Sequence, residues 1–344
     1  MNEQQRLIKE SLDRLLSDLC SKTTIDKAEK GEFPGELWHA LADTGLVLAG
    51  LPEDLGGAGG DLADSLFVVR EAAKFAAPVP LAEHFLAAVL WSGRGETVRE
   101  GIMTFAEGDF RLSDNDQLSG TAPAVAFGRW SDTVTLIATR NNEDFLCGVP
   151  ISEFRVEEAN NIAGEPRDAL SINLVLNKSQ YLGGEPIKRK AYLIGAATRV
   201  ALMAGALESI LEMSVVYSTE RVQFGKPIAK FQAIQQQLAT MAGEVAASLR
   251  AAQSLETKFE SMTELEVAIG KSRVGEAVGI CTDIAHQVHG AMGYTMEHSL
   301  NQRTRRLWAW REEYGSEQEW EIAIGQFFSG NASEKLWDQV TFLN

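Results

Sequence analysis

The sequence predicts a mainly α-helical protein with a small β-domain in its middle, and three observations carry that expectation. Apolar residues recur at helical spacing over the first hundred residues. From about Gly101 the texture changes to short alternating runs rich in Gly, Asp, Ser and Asn, and beyond Lys188 long helical periodicity returns. The expected organisation is an N-terminal helical domain over 1–100, a small β-domain over 101–183 and a four-helix C-terminal domain over 184–344.

Taken in order, Leu7, Ile8, Leu12, Leu15, Leu16 and Leu19 recur at three and four, so Glu3–Leu19 reads as an amphipathic helix. A second helix is expected at Pro34–Thr44, with Pro34 near its first turn and Gly45 just past its end. Gly56–Gly60 breaks the chain before Asp61 caps a helix running to about Phe75. Pro78 and Pro80 mark a turn, and Leu81–Trp91 returns to helical spacing. In the middle domain Thr133–Ala138, Phe145–Val149 and Leu170–Leu176 read as strands. Four long helices follow: Ala191–Glu220, Phe231–Met262, Thr263–Gly290 and a last one after Asn301. No internal repeat or low-complexity tract is present, which removes solenoids and linkers.

The 344 residues are 45% hydrophobic and carry a formal net charge of −16. Nucleic acid and anionic membrane both reward a Lys/Arg surplus, so neither is expected as a general partner. Cys20, Cys147 and Cys281 lie far apart with no CxxC pair, which fits buried structural thiols in a reducing compartment. The N-terminus has helical periodicity and acidic residues, unlike a targeting peptide, and no uninterrupted apolar run approaches the ~18 residues that span a bilayer. A cytoplasmic location is the expectation.

Three segments carry chemistry. Tyr217-Ser-Thr-Glu-Arg-Val-Gln-Phe-Gly-Lys-Pro-Ile-Ala-Lys-Phe-Gln232 closes one long helix and opens the next. An Arg at such a helix end can pair bidentately with a diphosphate, and a Phe offers a flat face to an aromatic ring. Ala285-His-Gln-Val-His-Gly-Ala-Met-Gly-Tyr-Thr-Met-Glu-His298 holds glycines that let backbone approach a ligand. His286, His289 and His298 within it share no convincing spacing with a carboxylate or cysteine, so no metal site is expected. Leu51-Pro-Glu-Asp-Leu-Gly-Gly-Ala-Gly-Gly60 is a Gly-rich loop whose weight comes from its position relative to the other two.

Together these segments resemble the acyl-CoA dehydrogenase family, through Arg-x-x-Phe-Gly-x-x-Ile-x-x-x-Gln, Gln-x-x-Gly-Gly-x-Gly-(Phe/Tyr) and Pro-Glu-x-x-Gly-Gly-x-Gly. The resemblance is strong over 187–300, fair over 33–95 and poor over 101–183. It implies a β-barrel-like middle domain and an FAD contacted by Arg221, Phe224, Gln232, Gln287, Gly290 and Ala291, with Ser316 and Gln318 as further cofactor contacts. It also implies an acyl-CoA substrate, an electron-transfer flavoprotein as electron acceptor, and a homo- or hetero-oligomer, dimer or tetramer, sharing the FAD site.

The chain departs from the family at the catalytic base, a Glu that removes the α-proton while the β-hydride goes to the flavin. An ungapped count puts Tyr314 there, and tyrosine is a poor base at neutral pH. A one-residue shift brings Glu313 into place, and Glu313 is the expected base. The family's other base position, on the first long C-terminal helix, holds Gly195 and Ala196. Met103–Asp114 lacks the family's Thr-Glu-Pro-x-x-Gly-Ser-Asp segment. The resulting expectation is an acyl-CoA dehydrogenase or one subunit of a mixed enzyme, with a non-catalytic partner subunit or a flavin monooxygenase as alternatives. Arg303, Arg305, Arg306 and Arg311 alternating with Trp308, Trp310 and Trp320 read as interface indoles with solvated arginines, or as an anion clamp.

Overall fold

The computed structural model describes residues 2–184 and 186–330, and the chain forms two compact units, 1–198 and 199–344. The first unit opens with five helices: α1 (Glu3–Leu19), α2 (Lys22–Ala28), α3 (Gly35–Asp43), α4 (Leu62–Lys74) and α5 (Leu81–Ser92). Asn2 and Gln5 cap the start of α1 reciprocally, and Asp61 and Asp64 do the same for α4. The stripe on α1 buries Leu12 and Leu16 completely. Sequence periodicity misses α2 because it is short and buries only Ile25 and Ala28; Ser21 caps it by accepting from the Thr24 amide at 3.1 Å. Every residue of α5 from Leu81 to Trp91 is buried, so apolar residues cover its whole circumference.

One polar group inside α5 has a pH consequence. His84 Nδ1 accepts the Met103 amide at 3.1 Å, which leaves the proton on Nε2, and burial pushes the imidazole down to about 4. Below pH 6.5 the unfolded chain takes up a proton that the folded chain refuses, so stability falls as pH drops from about 6.5 to about 4. The expected loss is on the order of 3 kcal/mol, read as a falling unfolding midpoint that the His84→Gln variant does not share.

Eight strands follow: β1 (Met103–Ala106), β2 (Asp109–Leu112), β3 (Gln117–Ala126), β4 (Thr133–Arg140), β5 (Glu143–Pro150), β6 (Arg155–Glu157), β7 (Arg167–Val175) and β8 (Tyr181–Gly183). Their order is β6-β7-β3-β2-β4-β5-β8, with β1 paired in parallel to β4. One face encloses a core of Phe110, Leu118, Val134, Leu136, Val149 and Leu170. The indole of Trp91 on α5 donates to Thr135 Oγ1 at 3.0 Å, fastening helices to sheet within this unit.

Helix α6 (Lys188–Glu220) runs from the first unit into the second, which continues with a two-stranded hairpin, β9 (Val222–Gln223) and β10 (Lys226–Pro227), then α7 (Gln232–Thr257), α8 (Glu264–His289), α9 (Leu300–Glu312) and α10 (Glu317–Gly330). The architecture is thus helices, sheet, helices in chain order. An 18-residue window of α6 has a mean hydropathy of 1.5 and is 56% buried, more apolar than run lengths suggested, because single charges such as Arg199 break a run without lowering its mean much. The expected last helix splits into α9 and α10 where Tyr314 and Gly315 take φ of 53° and 91°.

Candidate functional site

The hairpin between α6 and α7 presents the Arg-x-x-Phe-Gly segment. Its register pairs Gln223 with Lys226 and Val222 with Pro227, leaving Phe224 and Gly225 as a two-residue turn with φ of 51° and 81°. Left-handed backbone is natural for the glycine and costly for a phenylalanine, strain that concentrates at functional positions. The Phe224 ring is 92% exposed, with only the edge of Phe231 at 6.1 Å beside it. Arg221 is exposed, and its guanidinium makes no ion pair among the described residues. Gln232 is exposed at the first position of α7, next to Phe231. The connection from α6 to α7 therefore carries Arg221, Phe224 and Gln232, all three exposed.

The second segment lies at the end of α8. Gln287 is exposed, Gly290 turns the chain with φ 60° and ψ −144°, and Gly290–Tyr294 forms a tight turn that exposes Ala291. Gly293 is buried under it, where a Cβ would lie 3.0 Å from His289 and 3.1 Å from Leu300. The His289 ring stacks on Tyr217 of α6 at 4.5 Å and meets His298 edge-on at 4.9 Å. That stack ties the ends of α6 and α8 together, and Arg221 stands one helical turn beyond Tyr217, its amide bonded to the Tyr217 carbonyl at 2.9 Å. His289 Nδ1 donates to the Ala285 carbonyl at 2.8 Å, and burial pushes the imidazole below its ordinary range. No group of three His, Cys, Asp or Glu among the described residues is arranged to hold a metal ion.

The donor set fits a dinucleotide diphosphate. An unpaired guanidinium, an exposed carboxamide and the backbone around Gly290 offer hydrogen bonds to an anion, and Phe224 offers an open face to an aromatic ring.

The third segment is the break between α9 and α10. Lys271 of α8, 1% exposed, donates from Nζ to the Arg311 carbonyl at 2.6 Å and the Gly315 carbonyl at 2.8 Å. Burial pushes the Lys271 ammonium down to about 8, with Glu317 opposing. The Trp320 indole donates to the Tyr314 carbonyl at 2.9 Å, and the Ser316 amide to Glu319 at 2.9 Å. Glu313 is half-buried and engaged: its Oε2 accepts from Arg199 Nε at 2.6 Å, and the Tyr314 ring lies 5.1 Å from the Arg199 Cζ. Gln318 is exposed on α10 and Ser316 half-buried. Arg199 and Lys271 were missed in the sequence: Arg199 is one charge within an apolar run, a signal of burial that helical periodicity averages away, whereas Lys271 stands two residues from Arg273 and reads as one more surface charge.

The Arg/Trp alternation is corrected in part. Arg306 is 1% exposed with Nη1 on the Gln302 carbonyl, and Trp310 and Trp320 are buried, so this stretch is largely core. Arg303 is half-buried, with its Nε on Ser209 Oγ at 2.8 Å.

Residues 2–94 match the acyl-CoA dehydrogenase N-terminal domain and residues 189–322 the acyl-CoA dehydrogenase C-terminal domain. The chain belongs to the acyl-CoA dehydrogenase family of oxidoreductases. It is 28% identical to acyl-CoA dehydrogenase IpdE2 of Mycolicibacterium smegmatis over 305 residues, covering 87% of this chain and 91% of the relative. Acryloyl-CoA reductase (NADH) of Anaerotignum propionicum is 26% identical over 354 residues, covering 89% of each. Among solved structures, the ChsE4-ChsE5 complex from Mycobacterium tuberculosis superposes with a TM-score of 0.89 at 21% identity, covering 97% of this chain and 99% of that one. Butyryl-CoA dehydrogenase from Megasphaera elsdenii superposes with a TM-score of 0.85 at 18% identity, covering 96% and 99%.

Proposed function

We propose that this chain is one subunit of a cytoplasmic, FAD-dependent acyl-CoA dehydrogenase of unlike subunits, which oxidises an acyl-CoA thioester to its α,β-unsaturated product and passes the electrons to an electron-transfer flavoprotein. The observation that carries the reading is the hairpin: Arg221 exposed with no ion pair among the described residues, and Phe224 92% exposed in a strained turn. A large aromatic held at this cost has its partner outside its own chain. The ChsE4-ChsE5 likeness, a complex of two different chains, supports a mixed assembly.

In this reading Arg221, Gln287 and the backbone of Gly290 and Ala291 hold the FAD diphosphate, and Phe224 lies against an aromatic ring of the cofactor. Gln232 lies beside Phe224, and Ser316 and Gln318 complete the contacts from the α9–α10 break. The cofactor supplies the hydride acceptor. The chain's own acid at the base position, Glu313, is engaged by Arg199, so the carboxylate that removes the α-proton comes from the companion subunit.

The test is to purify the chain alone and co-expressed with homologues encoded beside it, recording the flavin visible band and the mass in solution. Stoichiometric FAD only in the mixed oligomer, bleached anaerobically by an acyl-CoA, is the expected result. A chain that alone binds stoichiometric FAD and is bleached at full rate sinks the mixed-subunit reading. No flavin in any combination sinks the dehydrogenase reading.

A further inference from the structure

Both places where this architecture could position an acid end on one ion pair. Gly195 begins the turn of α6 that ends at Arg199, and Arg199 is 3% exposed with its Nε on Glu313 Oε2 at 2.6 Å. The carboxylate cannot readily leave, because the segment bearing it is fixed at several points. Lys271 binds the carbonyls on either side, Trp320 binds the Tyr314 carbonyl, and Tyr314 covers the guanidinium. Arg311 Nε meets Glu317 Oε1 at 2.6 Å, and Gly275 leaves room for that carboxylate, since a Cβ there would meet it at 1.9 Å.

A carboxylate that accepts a charge-assisted hydrogen bond from a buried guanidinium is a weak proton acceptor, since protonating it leaves a buried cation without its counter-ion. The same carboxylate, half-buried with the guanidinium removed and the Lys271 ammonium still attracting it, gains basicity.

We infer that Arg199 is a positioning residue that keeps Glu313 from acting as the base, so that this chain holds a latent proton acceptor silenced chiefly by that ion pair. The inference rests on the reading of thioester α-deprotonation at this locus. It predicts that neutralising Arg199 confers a function, whereas loss of a merely structural ion pair only removes stability.

The experiment uses the flavin-loaded oligomer, its companion subunit's base carboxylate replaced by the amide so that it adds no exchange of its own, incubated with butyryl-CoA in deuterium oxide, with deuterium at the α-carbon read by mass spectrometry. The step moves the α-proton to the carboxylate and returns a deuteron to the same carbon, so no oxidant is consumed. Arg199→Gln is expected to exchange at least about tenfold faster than Arg199→Gln combined with Glu313→Gln, a decade being about 1.4 kcal/mol of barrier. Arg199→Lys, which keeps a cation, is expected to show no such gain. Equal exchange in folded Arg199→Gln and the double variant overturns the inference.

Should Arg199→Gln not fold, the unaltered protein decides by infrared titration with Glu313→Gln as the spectral reference. A Glu313 carboxylate band that persists to acid pH upholds the inference, and a carboxyl that takes up a proton near neutrality overturns it. That measurement needs neither flavin nor thioester, so it is readable even if the proposed function fails.

Discussion

Arg221→Glu is expected to strip FAD from the assembled enzyme, weakening its binding by about two orders of magnitude while the unfolding midpoint stays unchanged. Arg221 is exposed and makes no ion pair among the described residues, so its removal breaks no contact that holds the fold. Surface substitutions of that kind shift stability by about 0.5 kcal/mol at most. The two charge-assisted bonds a guanidinium gives a diphosphate contribute roughly 3 kcal/mol together, which is about a hundredfold, and a carboxylate in their place adds repulsion. Arg221→Lys should fall between, because an ammonium cannot pair bidentately. The measurement is the flavin-to-protein ratio after gel filtration, with the dissociation constant from flavin fluorescence. An Arg221→Glu enzyme that retains its flavin would remove the hairpin from the cofactor site.

Much of this was legible in the sequence because local chemistry and global fold agree there. The stripe on α1 and the Asp61 cap of α4 are each specified within a few residues, and each forms as expected. The β-domain was legible as strands but not as a sheet order, since β1 pairs with β4 across some thirty residues of chain and spacing says nothing about partners. The α9–α10 break escaped notice because it depends on Tyr314 in left-handed backbone, which tyrosine rarely adopts and which Lys271 and Trp320 fix from outside the segment. For the same reason Glu313 could be placed near the base position by counting, yet its partner could not. Arg199 lies 114 residues away in sequence and meets Glu313 only through the packing of α6.

The candidate site is thus divided by how its parts are held. The hairpin and the Gly290 turn, whose backbone conformation is local, leave Arg221, Phe224, Gln287 and Ala291 exposed. The α9–α10 break, by contrast, is held by charges that satisfy one another: buried Arg199 with half-buried Glu313, and buried Lys271 with two carbonyls. Buried ion pairs contribute little net stability compared with well-packed apolar residues, but breaking one from one side is expensive. A break held this way is fixed in one arrangement, which suits the supporting role proposed above.

The same asymmetry governs the β-domain and gives the largest expected stability effect, at Asp168. Its side chain is fully buried on β7, where Oδ2 accepts the Arg129 amide at 2.7 Å, and Oδ1 accepts Arg129 Nε at 2.9 Å and the Ala159 amide at 3.3 Å. Asparagine keeps the size but sets an N–H against one of these donors and leaves the guanidinium without its buried counter-ion, with only the exposed Glu158 still paired to it. Gly128, whose Cβ would lie 3.2 Å from Oδ2, gives little room to readjust. Asp168→Asn is therefore expected to cost about 3–5 kcal/mol, seen as a lowered first unfolding transition and faster amide exchange in β3 and β7. Glu158 binds the same arginine at 2.7 Å, but its side chain is 68% exposed, and Glu158→Gln should cost no more than about 1 kcal/mol. Burial rather than charge alone is what separates the two, so equal effects from the two variants would mean that Asp168 is reached by water and that this corner of the β-domain is less closed than its hydrogen bonds imply.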